Sequence, residues 1–454
     1  MLQTLINAFK NKDIRKKILI TLGLLFIFRL ASYIPIPGIH PDAFGAAGGG
    51  DTGSILWLLS SLTGGALANG ALVAIGIAPY INASIIVQLL TVAIPKLEQW
   101  SKQGEDGKRK INNVTRILTL ILAMAQATGI VVNYALSEVG FYPIFGVSEG
   151  GIVAEWVIGL IVAMVLVAGA MFTMWLGERI TELGIGNGIS LLIFVGIISS
   201  AGLAILAIIS TFGADNPNAP WELAGFLLMV LAVFAFIVFI DLSERRIPIQ
   251  YAKQIKGRKQ YGGQSTFIPI KVNAAGVLPI IFASAITTFP QLLFSLIPGT
   301  PPGTYEGATG SWWFRANMAW QNSPMTVGGW GYSILTGVLI FFFSYFYARI
   351  QFNPEEVSRN IQQYGGFVPG IRPGKPTQEY LTKITHRITF WGAMFLAFIA
   401  IVPSILFATL LPQGSPLLHG FTATGMLIVV SVALEFEKQL QSQLMMKQYK
   451  GFLK

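Results

Sequence analysis

The chain has 454 residues, of which 53% are hydrophobic and 11% charged. A soluble globular chain carries about 25% charged residues, so this composition excludes that class and points to a protein that crosses a membrane many times. The absence of cysteine rules out disulfides and thiolate metal sites, and the net charge of +10 has to be read through its distribution along the chain, not as a sign of nucleic-acid binding.

In chain order, a basic stretch over 10–17 leads into an apolar run that Pro35 and Pro37 close. No small-residue cleavage site follows it, so the first span is expected to be retained, entering from a basic, cytoplasmic side. Then comes the least ordinary part, residues 52–94. Its first apolar piece, Ile55–Leu62, would make about 12 Å of helix, far short of a hydrocarbon core of about 30 Å. Gly64 and Gly65 follow, and then a run over 71–94 that is long enough to span yet carries Gly76, Pro79, Asn82, Ser84 and Gln88. Each polar group in lipid must find a partner, so this stretch reads as the working part of a channel that the rest of the chain frames.

Ten apolar segments are read as spans: 18–36, 71–94, 114–136, 152–176, 184–211, 223–240, 276–297, 330–348, 388–411 and 417–434. Alternating the loops from a cytoplasmic N-terminus puts all but two of the 31 Lys and Arg on one side. Arg29 lies inside the first span and Arg315 in an outer loop. The outer segments and the span ends beside them hold Asp42, Asp51, Glu138, Glu149, Glu155, Asp215, Glu222 and Glu306. A miscounted span would scramble this segregation, so ten spans with both termini cytoplasmic are expected. They divide as five plus five: an N-terminal half over 1–211, an external connection over 212–221, a C-terminal half over 222–437 and a tail over 438–454. An odd number of spans per half turns the halves over relative to each other, the inverted-repeat layout.

Two cytoplasmic loops exceed what a connector needs. In 241–275, apolar residues alternate on either side of Gly257 and predict a hairpin with a basic tip, Lys256 to Lys259. In 349–387, a Pro/Gly-rich turn over 365–374 presents Arg372 in a fixed direction. Scattered lysines also fix topology and bind anionic lipid, but ordered turns of this length predict docking of an acidic or phosphate-bearing partner.

Several strings then become recognisable. They are Tyr33-Ile-Pro-Ile-Pro-Gly38, Pro79-Tyr-Ile-Asn-Ala-Ser-Ile-Ile86, Gln88-Leu-Leu90, Gly177-Glu-Arg-Ile-Thr-Glu182 and Gly184-Ile-Gly-Asn-Gly-Ile-Ser190. Further along come Gln264-Ser-Thr266, Lys271-Val-Asn273 with Gly276-Val277, Phe352-Asn-Pro354 and Phe367-Val-Pro-Gly-Ile-Arg-Pro-Gly374. Together, in this order, they resemble the SecY family, the central subunit of the bacterial protein-conducting channel. The resemblance implies an all-α polytopic membrane protein whose ten transmembrane helices form two inverted five-helix halves around a central pore, with a short re-entrant plug helix. It implies passage of unfolded secretory polypeptides across, and release of hydrophobic segments sideways into, the bacterial cytoplasmic (inner) membrane.

Matched residue by residue, the family's aliphatic pore ring falls on Ile77, Ile81, Ile193, Ile281 and Ile428. Ile77 and Ile81 stand one helical turn apart, with Ser84 and Gln88 continuing that face; isoleucines so spaced also serve as plain packing. An apolar constriction blocks ions by dewetting, while its side chains can part around a polypeptide. The plug falls on about 53–65, with Ile55, Leu56, Trp57, Leu58, Leu59 and Leu62 as its helix and Gly64 and Gly65 as its hinge. The chain departs from the usual Phe-Ser-Gly-Gly with Leu62-Thr-Gly-Gly65. An ordinary helix on the outer membrane surface would look similar. Asn82, Gln88, Gln126 and Asn273 fall where the family opens sideways, between its second and third and its seventh and eighth helices. There, amides bonding across the seam would hold it shut. Arg245, Arg246, Arg258, Lys259 and Arg372 fall where the family docks its motor or the ribosome.

The implied partners are SecE and SecG subunits, the SecA motor ATPase, the ribosome, signal-sequence-bearing polypeptides, YidC, SecD and SecF, with anionic lipids around them. No cofactor, metal or catalysis is implied. An ion-coupled transporter would keep an ionisable residue near mid-membrane; the spans carry almost none, and the main exception, Arg29, lies nearer the outer than the inner end of the first span. A hydrolase would need a motif such as His-Glu-x-x-His or Gly-x-Ser-x-Gly, and the sequence contains neither.

Overall fold

The computed structural model describes residues 2–37, 63–67, 69–135, 152–210, 219–251, 254–256, 259–261, 265–273, 276, 278–296, 312–321, 323–324, 330–410 and 423–451. Helices dominate it. The first half comprises α1 (Leu2–Lys10), α2 (Lys12–Ala31), α3 (Ala78–Ala93), α4 (Pro95–Lys102), α5 (Glu105–Ala135), α6 (Ile152–Leu183) and α7 (Gly188–Ser210). The second comprises α8 (Ala219–Asp241), α9 (Leu278–Leu296), α10 (Trp312–Gln321), α11 (Trp330–Gln351), α12 (Pro354–Gln363), α13 (Lys375–Leu410) and α14 (Ala423–Gly451).

Nine of the ten predicted spans each correspond to one long helix, α2, α5, α6, α7, α8, α9, α11, α13 and α14; the second, 71–94, is only in part helical, as α3. Among the described residues, six helices are long and apolar enough to cross a membrane on their own, and the α3–α4 pair makes a seventh if taken as one bent span. The remaining three, α2, α9 and α14, fall short of that test within the described residues, α2 because its first turns carry Lys12, Asp13, Arg15, Lys16 and Lys17.

One expectation needs correction. The run 71–94 is not a continuous helix: α3 begins at Ala78, and the chain bends by 101° at Ile94 between α3 and α4. Pro79 occupies the first turn of α3, where its missing N–H costs nothing, and Pro95 does the same for α4. Upstream, Ala71 bridges to Pro35, Ile36 donates its N–H to the Gly70 carbonyl at 2.8 Å, and Leu72 donates to the Ile34 carbonyl at 2.8 Å. Gly76 sits at φ +60°, a conformation open to glycine, and its carbonyl accepts from Thr173 Oγ1 of α6 at 2.9 Å. Non-helical backbone survives at membrane depth only when protein groups satisfy it, and these bonds do so.

The first-half helices pack in the order α2–α6, α3–α5, α5–α6 and α6–α7, and Arg116 of α5 grips Glu178 of α6 through two bonds of 2.9 and 2.7 Å. In the second half α11 lies between α9 and α13. The halves meet where α9 touches α3 and α5, and where α7 meets α8 and α14.

The two long basic loops fold into one small platform. Strand β1 (Glu244–Tyr251) pairs antiparallel with β4 (Ser265–Lys271), while β2 (Gln254–Lys256) and β3 (Lys259–Tyr261) form a second antiparallel pair with Lys256 opposite Lys259. This is the hairpin expected from the alternation. The sequence reading missed that β5 (Gly366–Phe367), from the other loop, adds to the free edge of β1. Ile247, Ile249 and Ile270 of the sheet share a buried cluster with Ile361, Val368 and Leu381, so the β1–β4 pair and the Pro/Gly turn are packed on one core.

Candidate functional site

The five matched isoleucines come from α7, α9, α14 and the start of α3, and all five gather in one apolar cluster. Ile77, Ile193 and Ile428 are buried within it, and Ile81 and Ile281 are half-buried against it. Ile77 caps the N-terminus of α3, and its carbonyl accepts the Ile81 N–H at 3.1 Å, which sets the two side chains one turn apart. Ile81 and Ile281 also pack against the neighbouring cluster built on α9, α11 and α13. The isoleucines therefore stand at the junction of the two halves' cores. Beside them lies a cavity of about 20 Å³, lined mainly by Phe28, Thr63, Ile77, Ile81, Leu192 and Ile193. That is room for about one water, with almost nothing polar to hold it.

The predicted plug helix, Ile55, Leu56, Trp57, Leu58, Leu59 and Leu62, lies outside the described residues. Its two glycines are described: Gly64 and Gly65 adopt φ +70° and +85°, a tight left-handed turn that ends against α2 and α7.

The four amides do not act as a set. Gln88 of α3 accepts a hydrogen bond from the Tyr347 hydroxyl of α11, joining the second span to the eighth. Tyr347 is 4% exposed and its ring centre lies 4.9 Å from that of Phe282 in α9. Asn273 departs from expectation: its Nδ2 donates to Asp241 Oδ1 at 3.1 Å, tying the entry of α9 to the end of α8, not to α3 or α5. The cause is a close approach, because a Cβ on Gly392 of α13 would fall 2.3 Å from the Val272 carbonyl and so the backbone at 272–273 is seated on α13. Gln126 is buried with neither amide atom partnered, so it also makes no bond across the seam; Asn82 is half-buried. Tyr347 was the residue that sequence reasoning missed. A phenol within an aromatic run, Phe341 to Tyr347, gives no outward sign that it faces an amide 259 residues away.

On the platform, Arg245 and Arg246 point to opposite faces of β1. Arg246 is engaged locally: its Nε donates to Glu244 Oε1 at 2.8 Å, and its guanidinium lies 4.8 Å from the centre of the Phe267 ring. Arg245 is exposed. Arg372 is exposed as well, on a backbone held by Thr377 Oγ1 donating to its carbonyl at 2.8 Å. Lys259 opens β3, and Arg258 lies outside the described residues. Where Lys438 of α14 comes up to this region, burial first and then the neighbouring Lys271 push its amine below the ordinary lysine range, against the pull of Asp241 and Glu244.

Comparison with known proteins places this arrangement. The SecY family model matches residues 71–437. The protein translocase subunit SecY of Corynebacterium glutamicum is 40% identical, over the whole of both chains. Among solved structures, a protein-conducting channel superposes with a TM-score of 0.61 at 20% identity, covering 94% of this chain and 92% of its own. Sec61 in a canine ribosome–channel complex from the endoplasmic reticulum gives 0.56 at 18% identity, over 94% and 92%. These last two share the fold; the family follows from the matched model and the full-length identity. The chain belongs to the SecY family.

Proposed function

We propose that this chain is the pore-forming subunit of a protein translocase of the bacterial cytoplasmic membrane, with both termini cytoplasmic. Unfolded secretory chains pass between Ile77, Ile81, Ile193, Ile281 and Ile428, and hydrophobic segments leave sideways between α3 and α5 on one side and α9 and α11 on the other. The observation that carries this reading is the convergence of five isoleucines from four helices at a junction of the two cores. An aliphatic girdle there has no polar group to coordinate an ion, so it stays dry at rest, and flexible side chains allow it to part around a peptide. The two five-helix groups act as the inverted halves, 1–211 and 222–437, joined through 212–221. The plug, about 53–65, backs the girdle from outside.

The chain supplies no means of catalysis in this reading. Energy comes from a motor ATPase or the ribosome docked on the joined platform of β1, β4 and β5, where Arg372 and Arg245 are the outward cations and Lys256 to Lys259 the basic tip. A polyanion such as ribosomal RNA would bind there with strong salt dependence. Accessory subunits and anionic lipid complete the assembly.

Vesicles holding the chain with its accessory subunits, supplied with motor and ATP, test both parts of the reading. A secretory precursor should become protected from external protease, and failure of protection would sink the channel assignment. In the same vesicles Tyr347→Phe removes the bond to Gln88. One interhelical bond in a membrane is worth about 0.6–1.7 kcal/mol, so precursors with weakened signal sequences should be accepted about 3- to 20-fold better. Unchanged signal selectivity would remove Tyr347 and Gln88 from the gate.

A further inference from the structure

Arg29 lies well inside the first predicted span, whereas Arg116 sits at the very start of the third and is paired with Glu178; a charge in Arg29's position, with no ion pair among the described residues, points to a function. Its Nη1 donates to the Gly64 carbonyl at 3.3 Å, its Nη2 reaches the Tyr33 hydroxyl at 3.4 Å, and its guanidinium carbon lies 5.4 Å from the centre of the Tyr33 ring. The turn it grips has no slack. A Cβ on Gly64 would stand 2.4 Å from Arg29 Nη1 and 2.9 Å from the Gly196 carbonyl of α7. Thr63, one residue earlier, is 4% exposed, and its Cγ2 occupies the space that a Cβ on Gly76 would need, 2.4 Å away.

These neighbours are the backbone of the constriction. Gly76 immediately precedes Ile77, and Gly196 lies one helical turn after Ile193. Thr63 lines the same small cavity as Ile77, Ile81 and Ile193. The guanidinium thus holds a left-handed turn wedged between the two elements that carry the buried first-half isoleucines. Its partner is a neutral carbonyl and the bond is long, at 3.3 Å, so breaking it separates no ion pair and the grip is releasable.

We propose that Arg29 is a positioning residue for the resting seal: by bonding the Gly64 carbonyl it keeps the Thr63–Gly65 turn against α7 beside Ile77 and Ile193, and loss of that bond loosens the constriction. The proposal rests on reading those isoleucines as the seal.

The test is resting ion conductance, without precursor or motor, of the full chain with its accessory subunits in planar bilayers. Arg29→Gln and Gly64→Ala should each raise it about tenfold or more, the equilibrium shift expected from one charge-assisted hydrogen bond. Gly64→Ala breaks the bond while keeping the charge, so a folding failure of Arg29→Gln leaves the test standing. Arg29→Lys, whose ammonium can still donate to the carbonyl, should fall between Arg29→Gln and the parent. Resting conductance equal to the parent in Arg29→Gln and Gly64→Ala would overturn the proposal. A precursor stalled in these same variants separates the two ideas. If it crosslinks at position 81 while conductance stays at the parent level, the seal stands and Arg29's role falls; if it fails to crosslink, the seal itself falls.

Discussion

Gly169→Ala should destabilise the membrane-embedded fold by about 3 kcal/mol, the upper end of what an extra methyl costs in a full core. A Cβ on Gly169 of α6 would lie 1.8 Å from the Leu72 carbonyl oxygen and 2.8 Å from its carbon. Both are backbone atoms, and the segment that contains them is pinned by the Pro35–Ala71 bridge and by Thr173 at Gly76, so it has nowhere to retreat. Gly202 of α7 is the control. Nothing lies within 4 Å of its Cβ position, and glycine in mid-helix is worse than alanine by about 0.5–1 kcal/mol, so Gly202→Ala should be neutral or slightly stabilising. Unfolding of the two variants in detergent measures the contrast. Equal unfolding midpoints for Gly169→Ala and the parent would mean that α6 does not rest on the unwound 71–77 backbone.

The second large effect is expected at the constriction. Ile281→Asn, or Ile81→Asn, replaces an aliphatic side chain at the junction of the two cores with one that binds water. Losing about 2 kcal/mol of apolar burial corresponds to about a 30-fold rise in the wetted population. Resting ion conductance should rise by that order, while Ile281→Leu should keep the parent's tightness. Parent-like conductance in both asparagine variants would mean that these side chains pack the interior without sealing a pore.

Much of this architecture is legible in the amino-acid sequence. A low share of charged residues is a consequence of the lipid solvent, and nine of the ten predicted spans correspond to a long helix, with 71–94 helical only from Ala78. The failures share a physical cause: they depend on partners distant in sequence. Residues 71–77 are apolar enough to pass as helix, but what keeps them unwound is Thr173, 97 residues on from Gly76, and a strand-like bridge to Pro35. The Gly365–Gly374 turn announced its stiffness but not that its first residues would extend the β1 edge. Asn273 reads as a span-entry amide; only the seating of Val272 on Gly392 shows why it faces Asp241. The ring isoleucines are indistinguishable by spacing from ordinary packing residues. The resemblance singled them out, and their common cluster is a property of the fold that no local pattern encodes.

The central claim is that polypeptide passes between these isoleucines, and one crosslinking measurement tests it most directly. The chain has no cysteine, so a single cysteine at position 81 or 281 is a clean probe. With a secretory precursor stalled midway by a folded block at its tail, both positions should crosslink to the precursor. A cysteine at position 228, on the exposed face of α8, should not. If the stalled chain bonds neither position 81 nor position 281, the polypeptide takes another path and the pore assignment is wrong.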